Sequence, residues 1–177
     1  AIIDGADAVM LSAETASGRY PVESVKMMDS IIREAEKHMA KWSHAEGFPK
    51  AALKDDALAI SNAAKTLAHD QDVANIAVFT QSGKTALLMS KTRPRVPIIA
   101  FTPEPSTLSQ MSLYWGVNPI LVPFANSLEE MVQSVDNYLI KRKKLRVGEQ
   151  VVLVSGFPVG AMRLPNLALL HSIGEKV

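Results

Sequence analysis

Short apolar runs alternate with segments of helical periodicity along most of the chain. Each run is short enough for a buried strand, and the runs lie at residues 73–79, 96–101, 117–122, 151–154 and 167–173. Between them, apolar residues recur every three or four positions, which predicts helices at residues 57–67, 85–91, 104–113 and 128–139. Near-continuous apolar strands that alternate with helices are typical of a parallel sheet, so the pattern predicts an α/β fold.

The first 54 residues follow a different pattern. The apolar run at residues 8–11 predicts a buried strand, and the polar residues 12–15 follow it. These polar residues are either groups presented at the carboxyl end of a strand, where parallel sheets place active sites, or a plain connecting loop. Pro21 suits a first helical turn, and the apolar positions after it predict a helix of about five turns. Residues 41–54 lose this periodicity, which indicates a linker.

A polar turn connects the first strand of the predicted sheet to its helix. It reads Thr80-Gln81-Ser82-Gly83-Lys84-Thr85, with a glycine that lets the backbone approach a ligand closely. The first N–H groups of the following helix have no internal partners, and with the helix dipole they attract an anion. We therefore predict a phosphate site whose donors are the hydroxyls of Thr80, Ser82 and Thr85 and the backbone N–H groups of Gly83 and Lys84. An ordinary turn capped by Ser82 is the competing interpretation.

The turn differs from the P-loop of nucleoside triphosphatases. That motif needs a glycine five residues before the Gly-Lys pair, and Val78 occupies this position here. None of the predicted strands is followed by the aspartate that such enzymes use to hold Mg²⁺. The turn is therefore too short for a triphosphate, and its hydroxyls suit a single phosphate monoester.

A second loop with two glycines follows the strand at residues 151–154. In a parallel sheet, loops that follow strands lie at the same edge, outside the carboxyl ends of the strands, where ligands bind. We therefore expect the loop at residues 156–160 to lie beside the turn at residues 80–85 and to close over its ligand.

Composition narrows the class of protein. A net charge of +1 argues against bulk attraction to nucleic acids or membranes, and no apolar run reaches the roughly 20 residues of a membrane span. The chain has no cysteine, hence no disulfide, and its four histidines lack ligand spacing, so we predict no metal site. The first residues lack the features of a signal peptide and start in what reads as the middle of a structure, so we expect a fragment.

Three stretches of the sequence resemble the pyruvate kinase family. Residues 4–23, DGADAVMLSAETASGRYPVE, resemble the last strand and helix of the catalytic barrel in that family. Residues 79–86, FTQSGKTA, together with SKTRP at 90–94 and PIIAFT at 97–102, resemble the start of its C-terminal domain. The end of that domain is matched by GFPVG at residues 156–160 and by Asn166-Leu167. The resemblance covers the whole chain.

This resemblance implies a fold and a division into domains. Residues 55–177 would form a three-layer α/β/α domain with a mostly parallel five-stranded sheet whose last strand is antiparallel. A linker at residues 47–54 would precede it, and residues 1–46 would be a remnant of the final strand and helix of a (β/α)8 barrel. A lone barrel strand has unpaired edges, so we expect residues 1–20 to pair with another copy of the chain or to be poorly ordered.

The resemblance also implies what this chain does and lacks. Pyruvate kinases are glycolytic, cytoplasmic phosphotransferases that transfer phosphate from phosphoenolpyruvate to ADP, using Mg²⁺ or Mn²⁺ and usually K⁺. The family's catalytic lysine and its ligands for these metals precede the segment with which this sequence begins. The chain alone would thus be inactive and hold no cofactor, with its partners being the barrel and further copies of itself. Ser12 matches a serine near the bound pyruvate, in a water network for proton transfer, which implies a secondary catalytic role.

In this family the C-terminal domain carries the allosteric site. By resemblance, the turn formed by Thr80, Gln81, Ser82, Gly83, Lys84 and Thr85 would grip one phosphate of an effector, either a sugar phosphate or a nucleotide monophosphate. The loop formed by Gly156, Phe157, Pro158, Val159 and Gly160 would cover that effector. Many members carry Gly-x-Thr-Asn before the last strand, whereas this chain has Arg163-Leu164-Pro165-Asn166, which leaves the identity of the effector open.

Two other classes of function compete with an allosteric domain. One is a stand-alone, non-enzymatic module that binds a phosphate ligand, or a vestigial domain that only packs. The other is a small kinase or phosphatase in its own right, but the sequence offers it no nucleophile and no cluster of metal ligands.

Overall fold

A computed structural model of the chain describes residues 1–42, 56–143 and 145–175. The chain divides into two compact units, Ala1–Gly47 and Phe48–Val177. The linker predicted at residues 47–54 lies outside the described residues. No described helix is both long enough and apolar enough to cross a membrane.

The N-terminal unit is built from two helices, α1 (Ala13–Ala16) and α2 (Pro21–Trp42). Helix α2 confirms the predicted amphipathic helix, with Pro21 at its first position. Its polar face carries exposed ion pairs such as that between Asp29 and Arg33 (2.7 Å). Such exposed pairs contribute little to stability.

The strand predicted at residues 8–11 is wrong. These residues belong to no strand or helix, and the Met10 side chain is 84% exposed. An apolar run becomes a strand only when a neighbouring strand accepts its backbone hydrogen bonds. All strands of the described residues lie between residues 75 and 172.

The C-terminal unit contains a five-stranded sheet. Its strands are β1 (Asn75–Phe79), β2 (Ile98–Thr102), β3 (Val117–Leu121), β4 (Gln150–Ser155) and β5 (Leu167–Ser172). Their spatial order is β3-β2-β1-β4-β5; all neighbouring pairs are parallel except β4 and β5, which are antiparallel. The sheet confirms the predicted fold, and each predicted strand lies within about two residues of an observed one. Strand β3 contains Pro119, which an edge strand tolerates because one side of its backbone needs no partner.

Helices cover both faces of this sheet. They are α3 (Asp56–Asp70), α4 (Lys84–Lys91), α5 (Pro105–Met111) and α6 (Leu128–Tyr138), and a π-helical turn, Leu139–Lys143, continues α6. Side chains alternate between the faces: Ile76 and Val78 pack with α3, α4 and α5, whereas Ala77 and Phe79 pack with α6. Two apolar cores, one on each face, therefore confirm the three-layer arrangement.

The buried face of α3 is rotated from the predicted one. Ala57 and Ala64 are buried as expected, but Ala63 is exposed, and Ser61 and Ala68 take the buried positions. Small residues at these positions let the helix approach the sheet closely. Ser61 remains compatible with burial because its hydroxyl donates to the carbonyl oxygen of Ala57 (2.8 Å).

Two histidines tie helices to distant segments. The His171 side chain on β5 is buried, and its Nε2 lies 2.8 Å from Asp136 Oδ1 on α6. The second carboxylate oxygen of Asp136 accepts a hydrogen bond from the Gly174 N–H (2.9 Å). His69, at the end of α3, accepts a hydrogen bond on Nε2 from the Arg95 N–H (3.0 Å). Partial burial, followed by the positive charges of Lys65 and Arg95, lowers the pKa of His69.

Candidate functional site

A cleft opens at the carboxyl ends of the central strands. The connection from β1 leads to β2 on one side of it, whereas the connection from β3 leads back to β4 on its other side. The order of strands therefore reverses between β1 and β4. Ligands of open α/β sheets bind at such a reversal. The cleft lies there, with a volume of about 230 Å³. This is smaller than the sites of drug-sized ligands, which span roughly 300–1,000 Å³.

The turn between β1 and α4 forms one wall of the cleft. Gly83 is the N-cap of α4 with φ 78°, a left-handed conformation that favours glycine. A side chain at this position would also lie 3.4 Å from the Thr107 methyl group. Thr107 Oγ1 in turn donates to the carbonyl oxygen of Gln81 (2.7 Å). The turn is thus fixed both by its own backbone and by α5.

The start of α4 leaves backbone donors without partners beside the cleft. The Leu87 N–H bonds to the Gly83 carbonyl (2.9 Å), whereas the N–H groups of Lys84, Thr85 and Ala86 have no backbone partner within the described residues. The Gly83 N–H, predicted above to be a phosphate donor, is instead engaged by Thr80 Oγ1 (3.0 Å). Ser82 is not the cap that the competing interpretation assumed, because Gly83 is the N-cap of α4 and no side chain caps the helix; the phosphate site itself stays a prediction.

The loop between β4 and β5 forms the opposite wall. Asn166 closes it: its Oδ1 accepts from the Phe157 N–H (2.6 Å), and its Nδ2 donates to the Phe157 carbonyl (2.8 Å). Gly156 has no space for a side chain, since a Cβ atom would lie 2.6 Å from the Arg163 carbonyl oxygen. The residues that carried the resemblance therefore serve to fold this loop tightly.

The cleft brings together most of the residues predicted for the site. Its lining includes five residues of the turn, namely Thr80, Gln81, Ser82, Lys84 and Thr85, and three of the loop, namely Gly156, Val159 and Gly160. Gly83, Phe157 and Pro158 do not line it and instead hold the backbone of the two walls. Ser12 belongs to the N-terminal unit, where it is exposed and its N–H donates to Glu14 Oε2 (3.0 Å).

The charge of the cleft is positive. Among the described residues that line it, Lys84 and Arg163 are charged, and none is an aspartate or glutamate. Arg163 extends along the loop, with Nη1 3.4 Å from the Phe157 carbonyl oxygen. The floor is uncharged and aromatic, with the stacked rings of Phe79 and Phe101 at 5.0 Å. A site with two cations, helix N–H groups and hydroxyls has the chemistry of an anion site.

Among the lining residues that sequence reasoning did not predict for the site, Ser155 is the one with a buried polar side chain. It is the last residue of β4, and its side-chain oxygen is buried without a hydrogen-bond partner in the described part of the chain. In the sequence, a serine after an apolar run reads as the start of a loop. The sequence signal that could have indicated it is its position at the end of β4, because β4 neighbours β1 and the two strands end at the same edge of the sheet.

Comparisons with known proteins were made on the whole sequence. A family model described as pyruvate kinase, alpha/beta domain, matches residues 58–171, and one described as pyruvate kinase, barrel domain, matches residues 1–25. The pyruvate kinase of Mycobacterium tuberculosis is 34% identical over 99% of this chain and 36% of its own length. That of Agrobacterium vitis is 39% identical over 89% of this chain and 33% of its own length. The chain thus spans about a third of the length of the curated relatives that it matches.

Proposed function

The chain belongs to the pyruvate kinase family, and we propose that its C-terminal unit is the regulatory domain of such an enzyme, which binds a phosphorylated effector in the cleft. The observation that carries this proposal is the wall formed by the turn. Helix N–H groups without backbone partners, two hydroxyls and Lys84 line a cleft to which the described part of the chain contributes no acidic side chain. An anion is the ligand that satisfies these groups.

The phosphate of the effector binds at the start of α4. The N–H groups of Lys84 and Thr85 donate to its oxygens, and the hydroxyls of Ser82 and Thr85 add two further donors. Thr80 is a positioning residue, because its oxygen is engaged by the Gly83 N–H and keeps the turn closed. Lys84 and Arg163, from opposite walls, supply the positive charge. The cleft suits a sugar phosphate or a nucleotide monophosphate, since its volume admits only a small ligand.

The transfer of phosphate from phosphoenolpyruvate to ADP belongs to the barrel of the enzyme. Only residues 1–25 of this chain match the barrel family. Within the described residues no three histidine, aspartate or glutamate side chains come together to hold a metal ion. We therefore assign Mg²⁺ and K⁺ to the barrel, and propose that this chain alone does not turn over substrate. We propose that the C-terminal unit regulates the enzyme through its contacts with the barrel and with further copies of the chain. An effector that binds one conformation of this assembly more tightly shifts the whole enzyme toward that conformation.

Calorimetry with the purified chain tests the binding site. The probes are inorganic phosphate, ribose 5-phosphate, glucose 6-phosphate and AMP, measured against the wild type and the double variant Ser82→Ala/Lys84→Ala. The variant loses one neutral and one charged hydrogen bond to the phosphate, which weakens binding by about 2–3 kcal/mol, or more than about 30-fold.

A matched double variant controls for the change in charge and composition. Ser134→Ala/Lys141→Ala removes the same two residue types from α6 and the π-helical turn, where Ser134 bonds only to the carbonyl of Glu130 (2.8 Å). Its affinities should equal those of the wild type. Equal affinities in the Ser82→Ala/Lys84→Ala variant would place the site elsewhere, and a wild type that binds none of the four probes would favour a domain that only packs.

A further inference from the structure

Ser155 contributes to the cleft a buried hydroxyl that has no hydrogen-bond partner among the described residues. The residue is 1% exposed, and its Oγ is the one solvent-inaccessible side-chain oxygen in the described residues that forms no hydrogen bond. Other buried serines are satisfied: Ser90 Oγ donates to the Trp115 carbonyl at 2.7 Å. An unpaired buried hydroxyl destabilises a fold, and such groups are rare in native proteins, so each one calls for an explanation such as a bound water, ion or ligand.

The position of Ser155 directs it toward a ligand held at the turn. Along β4, Val151 and Leu153 face α6, so the alternation of a strand places the Ser155 side chain on that same face. Strands β1 and β4 are neighbours, with Val78 opposite Val154, so Ser155 lies about one strand spacing, roughly 5 Å, from the chain that enters the turn. The turn and Ser155 line the same cleft, so one small molecule bound there contacts both.

The surroundings of Ser155 decide the kind of group that it binds. The floor of the cleft consists of apolar side chains, Phe79, Phe101 and Met131, and both cations of the lining are exposed at its rim. A phosphate buried against this floor would have no counter-charge and would lose its hydration. An uncharged hydroxyl, carbonyl or ring nitrogen loses much less on burial, and Ser155 supplies the hydrogen bond that it needs.

We propose that Ser155 is a specificity-determining residue that hydrogen-bonds an uncharged polar group of the effector, at the end remote from its phosphate. The effector is then a phosphate monoester with one anionic end at the turn and one neutral, hydrogen-bonding end at the floor. This inference rests on the proposed function, because it requires the phosphate to lie at residues 82–85.

The test separates the two ends of the ligand by calorimetry on the full chain. Inorganic phosphate probes the turn alone, whereas ribose 5-phosphate and AMP add a sugar hydroxyl and a base. Ser155→Ala should leave the Kd of inorganic phosphate unchanged and weaken at least one monoester by about five- to tenfold, the effect of one hydrogen bond to a neutral group. The monoester that loses affinity identifies whether the neutral group is on the sugar or on the base.

Thermal unfolding distinguishes a binding role from a structural one. Ser155→Ala removes an unpaired buried hydroxyl, so its Tm should rise while its monoester affinity falls. The control Ser90→Ala removes a satisfied buried hydroxyl, so its Tm should fall and its affinities should stay unchanged. A structural role for Ser155 would instead lower the Tm of Ser155→Ala.

The outcomes distinguish this inference from the proposed function. If wild type binds phosphate and monoesters, but Ser155→Ala weakens all of them equally or none of them, the inference is wrong and the proposed function stands. If wild type binds no phosphate compound, the proposed function fails and the inference fails with it.

Discussion

The contact between Asp136 and His171 gives the sharpest test of what stabilises the C-terminal unit. It joins two residues that are 35 positions apart, on α6 and on β5, at a distance of 2.8 Å. The His171 side chain is 2% exposed, whereas that of Asp136 is 17% exposed. Replacement of Asp136 by alanine removes the acceptor from a ring nitrogen that water cannot reach.

The magnitude follows from the two bonds that this replacement removes. The buried nitrogen of His171 is left unpaired, which costs about 2–3 kcal/mol. The Gly174 N–H is exposed and can bond to water, so its loss adds only about 0.5 kcal/mol. An aspartate near the carboxyl end of a helix is itself unfavourable, and its removal returns about 0.5 kcal/mol. We therefore expect Asp136→Ala to lower the free energy of unfolding by about 2–3 kcal/mol.

Urea denaturation monitored by circular dichroism measures this change. With a slope of roughly 1–3 kcal/mol per molar urea, the midpoint should fall by about 1 M or more. Asp136→Asn keeps one acceptor oxygen of the same shape, so its loss should be smaller, about 1 kcal/mol. Asp29→Ala, which removes an exposed carboxylate from an ion pair on α2, is the control and should change stability by less than about 0.5 kcal/mol. An Asp136→Ala midpoint within error of the wild type would refute the reasoning.

Two further predictions concern His69 and Gly83. Burial and the charges of Lys65 and Arg95 lower the pKa of His69 from its ordinary value of 6.5, so the unfolded chain binds a proton more readily than the folded one. The contribution of His69 to stability is therefore complete above pH 6.5 and is lost as the pH falls. Between pH 7.5 and pH 5, the urea midpoint should drop more for wild type than for His69→Gln. Equal drops would contradict this. Gly83→Ala places a side chain at φ 78°, which costs about 1–2 kcal/mol and should also weaken phosphate binding in calorimetry, because the turn must shift. The control is Gly148→Ala, which has the same strain at φ 94° on the opposite edge of the sheet, so it should lose similar stability and keep full affinity. If both variants bind phosphate as wild type does, the turn is not the site.

The predictions that succeeded from the sequence depend on neighbours along the chain. The order of strands and helices was readable because strands buried on both faces are continuous apolar runs, whereas helices bury only one side. The turn at residues 80–85 was readable for a similar reason: a strand, a glycine and a helix start are consecutive in the chain, and the backbone donors of a helix start do not depend on distant residues. The antiparallel direction of β5 came only from the family resemblance, since an apolar run has the same pattern in either direction.

The predictions that failed depend on residues far apart in the chain. Residues 8–11 have the composition of a strand, but a strand also needs a neighbour for its backbone groups, and composition does not reveal whether that neighbour is present. The rotated face of α3 was set by which side chains fit against the sheet. Gly83 is a different case, because the Thr80 hydroxyl that accepts its N–H is only three residues away, and the sequence does not show the turn geometry that brings the two groups together.

The family, the α/β fold and the turn at residues 80–85 follow from the sequence alone, because motifs and periodicities are local properties of the chain. Which groups line the cleft, and which of them have hydrogen-bond partners, depends instead on how distant segments pack. The Ser155 hydroxyl is buried at the end of β4, beside β1, and has no hydrogen-bond partner among the described residues. A hydrogen bond that is missing in the interior has no local sequence pattern, because it depends on which distant groups lie within reach.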